Sequence, residues 1–135
     1  MSKVFVNGCF DLLHKGHLSF LKEAKKQGDY LIVGLNSDIS IKKFKDKSRP
    51  IENQETRGKK LLETGLVNEV IIYDEETPIE LIRKINPDVI VRGFDQKIEP
   101  ELREFKFVRL KRFGNISTTK IIASLSSSAG RVRVP

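Results

Sequence analysis

Only two histidines occur in this chain of 135 residues, and they fall within one four-residue window, His14-Lys15-Gly16-His17. The apolar run Val4-Phe5-Val6 leads towards them, Asn7-Gly8 interrupts it, and an amphipathic run follows from Leu18 to Ala24. That pattern reads as a strand, a tight turn and the start of a helix. A helix N-terminus has unpaired N–H groups and the positive end of its dipole, so it favours an anion. Imidazoles three residues apart can face the same way over that end. The chemistry implied is the holding of a phosphate. One histidine alone would read as a cap or a packed ring, and one glycine as a turn; the pair, with Asp11 in a strand-to-helix context, reaches further.

The stretch Gly8-Cys9-Phe10-Asp11-Leu12-Leu13-His14-Lys15-Gly16-His17 resembles the G-x-F-D-x-x-H-x-G-H signature of the cytidylyltransferase-like nucleotidyltransferases. The resemblance implies that His14 and His17 bind a nucleoside triphosphate and stabilise charge as its α-phosphate is attacked. It implies nucleotide contacts from Gly8, Cys9, Phe10, Asp11 and Gly16. It also implies a phosphate-contacting lysine in the basic stretch after the second strand. Lys45 is the best match and Lys43 the alternative, with Arg49 beside them on the substrate side. Read from the residues alone, that stretch is equally a solvated charged loop. Arg57 matches an arginine common in the family after this loop, and reads equally as a surface helix charge.

Two further groups of residues could do chemistry. Arg92-Gly93-Phe94-Asp95 follows an apolar run; Gly93 permits close approach to a ligand, and Arg92 and Asp95 can contact a base or a phosphate. Near the end, Ser117 or Thr118 can cap a helix whose free N–H groups would hold another phosphate. Alone this is a capping signal, but Ile116-Ser117-Thr118-Thr119-Lys120-Ile121 resembles the second signature of glycerol-3-phosphate cytidylyltransferases, with which a basic residue at Arg112 belongs. Asp74-Glu75-Glu76 could suggest a metal site; three carboxylates ahead of a helix more often suit its dipole. Cys9, the single cysteine, excludes an internal disulfide. It reads as a small packing residue beside the site, because nothing in the sequence pairs it with a base.

The elements that must position these residues follow from periodicity. Strands are predicted over 3–6, 29–35, 68–73, 87–91 and 105–110, the last with one face exposed. A helix should run from the histidine pair to about residue 27, with Leu18, Leu21 and Ala24 inward and Gly28 as a left-handed stop. Residues 39–47 read as a cationic loop. A second helix spans 53–64, capped by Asn53 and stopped by Gly65. A third has Thr77 as cap, Pro78 at its first position, and Ile79, Leu81, Ile82 and Ile85 inward. A brief helix is expected over 99–103, and a flexible basic tail over 126–135 after a domain of residues 1–125.

Strands alternating with helices give a single α/β domain with a doubly wound, Rossmann-like parallel sheet. The resemblance implies strand order 3-2-1-4-5 and a crevice at the C-terminal ends of strands one and four. Composition is that of a globular protein, with 39% hydrophobic and 32% charged residues. No apolar run is long enough to span a membrane, and the N-terminus has no signal-peptide pattern, so a cytoplasmic location is expected. The net charge of +7 suits a phosphorylated substrate. Without tryptophan or aromatic interleaving it gives little support to nucleic-acid binding.

The reading that results is nucleotidyl transfer from an NTP to a small sugar phosphate, with release of pyrophosphate. Magnesium would arrive on the NTP, and no resident metal is expected. Asn36-Ser37-Asp38, Ser48-Arg49-Pro50 and residues 77–95 resemble the adenylyltransferase domain of ADP-heptose synthases, which favours ATP and heptose 1-phosphate. The alternative is a glycerol-3-phosphate cytidylyltransferase using CTP; against it, the Arg of that family's Arg-Tyr-Val-Asp-Glu-Val segment is absent from residues 65–70. An alternative of another class is a nucleotide-binding module without catalysis. The resemblance also implies that a homodimer is common.

Overall fold

The computed structural model describes residues 2–110 and the backbone of 119–123. Its elements are β1 (Lys3–Gly8), α1 (Lys15–Lys25), β2 (Tyr30–Asn36), α2 (Asp38–Phe44), α3 (Gln54–Glu63), β3 (Glu69–Tyr73), α4 (Ile79–Ile85), β4 (Val89–Arg92), β5 (Phe107–Leu110) and β6 (Thr119–Ala123). Five parallel strands stand in the expected order, β3-β2-β1-β4-β5, and β6 extends the sheet antiparallel to β5.

The central strands are buried on both faces, which is why β2 reads as an unbroken apolar run. On one face Val4, Val6, Leu31, Val33 and Leu35 pack with Phe20, Leu21 and Ala24 of α1 and Leu61 of α3. On the other, Phe5, Ile32, Ile71 and Ile90 pack with Leu81, Ile82 and Ile85 of α4. The reversal of strand order lies between β1 and β4, so their C-terminal ends open the crevice.

Several local expectations are corrected. Leu18 is exposed, and Phe20 takes the inward position, because the buried stripe of α1 runs through Phe20, Leu21 and Ala24. Gly28 is not left-handed. Its bare backbone admits β1: an added Cβ would lie 2.7 Å from Val4 Cγ2. The cationic loop is largely helical, since the Ser37 hydroxyl caps α2 by accepting from Ser40 N, and Asp38 sits in the first turn.

Thr77 does not cap α4; Pro78 takes that position and Ile79 begins the helix. The brief helix at 99–103 is a single 3₁₀ turn over Pro100–Leu102. β5 has no open face: Phe107, Val108 and Leu110 are buried, and both of its edges are paired. The helix expected after Ser117 and Thr118 is replaced by β6, whose Thr119, Ile121 and Ile122 are good strand formers. Asn53 and Gly65 do as expected, the first capping α3 and the second taking φ +78° just beyond it.

Candidate active site

His14 is the N-cap of α1, with extended backbone, and its side chain accepts from Gly16 N at 3.0 Å. His17, at the third helical position, accepts in return from His14 N at 3.2 Å. The two imidazoles thus replace the Ser and Glu of an ordinary capping box. In both rings the acceptor is Nδ1. A neutral imidazole that accepts at Nδ1 carries its proton on Nε2. The rings stack with centroids 3.9 Å apart and planes 24° apart, and the Phe10 ring braces His17 at 5.4 Å. Because Gly16 N–H and His14 N–H are spent inside the box, two of the backbone donors expected to hold phosphate are not free. The two Nε2–H groups take over that part.

Burial, followed by the nearby His14, pushes the His17 pKa down to about 4. The unfolded chain takes up this proton near the ordinary value of 6.5, whereas the folded protein resists until about 4. Within that window the unfolded state binds more protons, so stability falls as pH falls and recovers as pH rises. Thermal melts should therefore show a loss between pH 6.5 and about 4 that is shallower in His17→Gln.

The loop between β1 and α1 is strained. Phe10 and Leu12 take φ of 48° and 56°, either side of Asp11. Asp11 holds this loop to the segment after α2. Its carboxylate accepts from Ile51 N at 2.8 Å, Glu52 N at 3.0 Å and Arg49 Nη1 at 3.2 Å. Although burial opposes it, these bonds and the Arg49 charge hold its pKa below the usual carboxylate range. Asp11 therefore shapes the site while lining it.

Two cavities share Cys9 and His17. One, of about 300 Å³, is lined by Cys9, Asp11, His14, His17, Ile41, Lys45, Asp46 and Arg49. The other, of about 190 Å³, lies among Asn7, Gly8, Cys9, Phe10, His17, Phe20, Asp95 and Gln96. The first is edged by cations; the second has aromatic walls and an amide and a carboxylate at its rim. The Cys9 thiol is half-buried at their junction, 3.7 Å from Asn36 Oδ1, and burial pushes its pKa up despite Lys45 and Arg57. It is a packing residue at the site.

The predicted residues divide accordingly. His14, His17, Lys45, Arg49, Asp11, Gly8, Cys9, Phe10 and Asp95 line these cavities. Lys43 does not; its ammonium lies over the Phe44 ring at 5.2 Å. Arg57 is corrected from substrate contact to internal brace. It is buried, and its guanidinium donates to Cys9 O, Asn36 O, Glu52 O and the Asp38 carboxylate. Arg92 is also buried, paired with Glu99 at 3.1 Å and bonded to Lys97 O. Gly93 is buried beside it, donating N–H to Gln96 Oε1 at 2.7 Å. Arg112, Ile116, Ser117 and Thr118 lie outside the described residues, and of Thr119 only the backbone is described.

Sequence reasoning missed Gln96, Asn7 and Arg109. The Arg109 guanidinium gathers the carbonyls of Gly93, Phe94 and Gln96 at 2.8, 3.1 and 2.7 Å and so sets the loop that presents Asp95 and Gln96. The available signal was its register opposite Arg92 on adjacent strands, which only the sheet reveals. Among the described residues no cluster of three or more His, Cys, Asp or Glu is placed to hold a metal ion, and no helix is long and apolar enough to cross a membrane.

The comparisons with known proteins agree with this geometry. The family model described as Cytidylyltransferase-like matches residues 5–133. The bifunctional protein HldE of Campylobacter concisus is 46% identical over 133 residues, which is 93% of this chain and 27% of that protein. HldE of Helicobacter pylori strain G27 is 47% identical over 125 residues, 90% of this chain and again 27% of the relative. The chain thus spans about a quarter of the length of these curated relatives. The crystal structure of a lipopolysaccharide core biosynthesis protein from Thermoplasma volcanium superposes with a TM-score of 0.74 at 31% identity, over 84% of this chain and 98% of that one. With the paired imidazoles at the head of α1, the cationic wall beside them and a match along almost its whole length, the chain belongs to the cytidylyltransferase-like family of nucleotidyltransferases.

Proposed function

We propose that this chain transfers the nucleotidyl group of an NTP, with ATP favoured, to a small sugar phosphate such as heptose 1-phosphate, releasing pyrophosphate. The observation that carries the reading is the capping box: it directs both Nε2–H groups away from the helix while Lys45 lines the same cavity. The aromatic-walled cavity suits the nucleoside, with Asp95 and Gln96 towards the base. The cationic cavity suits phosphates. The likeness to a lipopolysaccharide core biosynthesis protein supports a sugar substrate, and the sequence resemblance to ADP-heptose synthases supports the sugar phosphate and the adenine base. Magnesium enters as part of the NTP substrate. A cytoplasmic location and a homodimer belong to the same reading.

In this mechanism an anionic oxygen of the acceptor phosphate attacks the α-phosphorus. A new P–O bond forms on one side and the bond to the β-phosphate oxygen breaks on the other, so pyrophosphate leaves with the electron pair. The nucleophile is already ionised at neutral pH, so no general base is required. Catalysis then consists of alignment and charge stabilisation. Nε2–H of His14 and of His17 donate to the phosphate oxygens as charge grows. Lys45 supplies a full positive charge that His17, neutral above pH 5, does not. Removing it by Lys45→Ala should lower kcat/KM about 100-fold, whereas Lys43→Ala should change it less than about threefold.

The test is pyrophosphate release with magnesium, pairing ATP or CTP with heptose 1-phosphate or glycerol 3-phosphate. Turnover with ATP and heptose 1-phosphate is expected. Turnover with CTP and glycerol 3-phosphate would replace both substrates in the proposal. NTP binding without turnover on any pair would favour a binding module.

A further inference from the structure

Three buried side-chain atoms have no hydrogen-bond partner among the described residues: Asn7 Oδ1, Arg92 Nε and Arg92 Nη2. They belong to neighbouring strands, β1 and β4, near the ends that open the crevice. Asn7 and Arg92 each follow a core residue of the α4 face, Phe5 and Ile90, by two positions, so both face that side of the sheet. Tyr73, at the end of β3, packs on the same face, and its hydroxyl accepts from Asn7 Nδ2 at 3.5 Å. On β2, Gly34 is in register with Asn7 on one side and Ile71 on the other, and a Cβ there would lie 2.6 Å from the Phe5 ring, so its bare backbone makes room for that ring.

A buried donor or acceptor left unmet has lost its hydrogen bond to water without replacement, so three in one cluster call for a physical reason. Conformational looseness is not that reason. Arg92 Nη1 is fixed by Glu99 at 3.1 Å and by Lys97 O, and the guanidinium lies over the Phe107 ring at 5.4 Å. Its unspent edge is therefore held in one orientation. That edge donates, Asn7 Oδ1 accepts, and the Tyr73 hydroxyl can do either; burial pushes the Tyr73 pKa up to about 12, so it keeps its proton at neutral pH. A phosphate could use the donors but would leave Asn7 Oδ1 unmet. A hydroxyl group satisfies both, because it accepts from the guanidinium and donates to the amide oxygen.

The surroundings favour the same chemistry. Tyr73 also borders a cavity of about 230 Å³ lined by Asp74, Glu75, Glu80, Leu81 and Lys84. Carboxylates there would repel a phosphate and accept from hydroxyls. The segment is anchored: Ser37 N donates to Tyr73 O at 3.0 Å and Ser40 Oγ to Glu75 O at 3.3 Å. Cationic Lys45 and Arg49 line a different cavity, beside the histidines. Charge thus separates a place for phosphate from a place for a neutral polyol.

We propose that Asn7, Tyr73 and Arg92 form a subsite for the hydroxyl groups of a carbohydrate acceptor whose phosphate lies towards Lys45 and Arg49. This rests on the reading of the acceptor as a phosphorylated sugar and names what reads its sugar part. The subsite makes Tyr73 a determinant of acceptor specificity that lines neither the nucleoside cavity nor the phosphate cavity, whereas Asn7 also borders the nucleoside cavity.

The experiment is calorimetric titration of heptose 1-phosphate and of inorganic phosphate into the full chain, as wild type, Tyr73→Phe and Asn7→Leu. Wild type should bind the sugar phosphate at least about tenfold more tightly than inorganic phosphate. Each variant should lose about tenfold for the sugar phosphate, the worth of one or two hydrogen bonds, and stay within about twofold for inorganic phosphate. Tyr73→Phe keeps the ring in the core, so it carries the test if Asn7→Leu does not fold. Equal affinity of wild type for the two ligands, an unchanged ratio in Tyr73→Phe, or an equal loss for both ligands would each overturn the subsite. Pyrophosphate release is scored separately. Transfer to heptose 1-phosphate with an unchanged KM in Tyr73→Phe sinks the subsite and leaves the reaction standing. Tyr73-dependent binding without transfer to any acceptor sinks the reaction and leaves the subsite standing.

Discussion

The double variant His14→Asn, His17→Gln is expected to fold as well as the wild type and to have lost nearly all turnover. The reasoning starts from the two jobs each imidazole does. His14 Nδ1 caps Gly16 N, and His17 Nδ1 returns the bond to His14 N. Asparagine is among the best N-cap residues, and glutamine at the third helical position completes a capping box, so the helix start survives. An alanine pair would remove the box as well, costing about 1 kcal/mol at the cap and confusing stability with chemistry. The Asn/Gln pair removes only the outward Nε2–H donors. Loss of such donors at a developing phosphate charge is worth about 10²–10³ in kcat for each group. Their effects need not multiply, because the stacked rings act on the same charge. Thermal melts within about 3 °C of wild type, with pyrophosphate release down at least about 1,000-fold, is the expected pair of results. Turnover within tenfold of wild type in the folded variant would remove the histidines from the mechanism.

The histidine pair also shows what can be read in a sequence and what cannot. Its spacing, with the strand and turn before it, is enough to place a phosphate site at the start of a helix, and local periodicity along the chain marks the five strands, whereas their order and the crevice follow from the family resemblance. The double duty of the rings was not legible. Capping and phosphate binding make opposite demands on Nδ1 and Nε2, and a sequence has no ring orientation. Leu18 departs from expectation because a helix with Phe20 and Leu21 adjacent has two plausible inward stripes, and tertiary packing selects the one containing Phe20. β6 is not legible locally because Ser-Thr-Thr ahead of an apolar run is a helix cap by local chemistry, while pairing with the open edge of β5 is a long-range event. The acidic stretch at 74–76 reads locally as a complement to a helix dipole, while the cavity that it lines beside Tyr73 depends on partners from other strands.

Arg57 is the strongest instance of that long-range blindness, and its removal should have the largest effect on stability. Arg57→Met is expected to lower stability by about 3 kcal/mol, which in a domain of this size is a fall of about 10 °C in Tm. The residue is 1% exposed. Nη1 bonds Cys9 O at 2.8 Å and Asn36 O at 2.9 Å, Nε bonds Glu52 O at 2.9 Å, and Nη2 meets Asp38 Oδ1 at 2.7 Å. These acceptors come from the motif loop, the end of β2, the segment ahead of α3 and the start of α2. Methionine fills much of the volume but leaves the carbonyls without their donor, which is the expensive way to lose a buried hydrogen bond. The Asp38 carboxylate, 30% exposed, is solvated in part by water, so the loss stays at the lower end for a broken buried pair. Asp11 would still bond Ile51 and Glu52. The strained loop at Phe10 and Leu12 would therefore keep its Asp11 bonds and the bond from Leu12 N to Glu52 Oε1 at 3.2 Å, and turnover should drop less steeply than in the histidine variant. Arg57→Lys restores the charge at Asp38 but not the fork that reaches three carbonyls, so it should recover only a minority of the lost stability. A urea midpoint unchanged in Arg57→Met would mean that these four bonds contribute nothing net, and that the loop is held by Asp11 and by the Leu12–Glu52 bond.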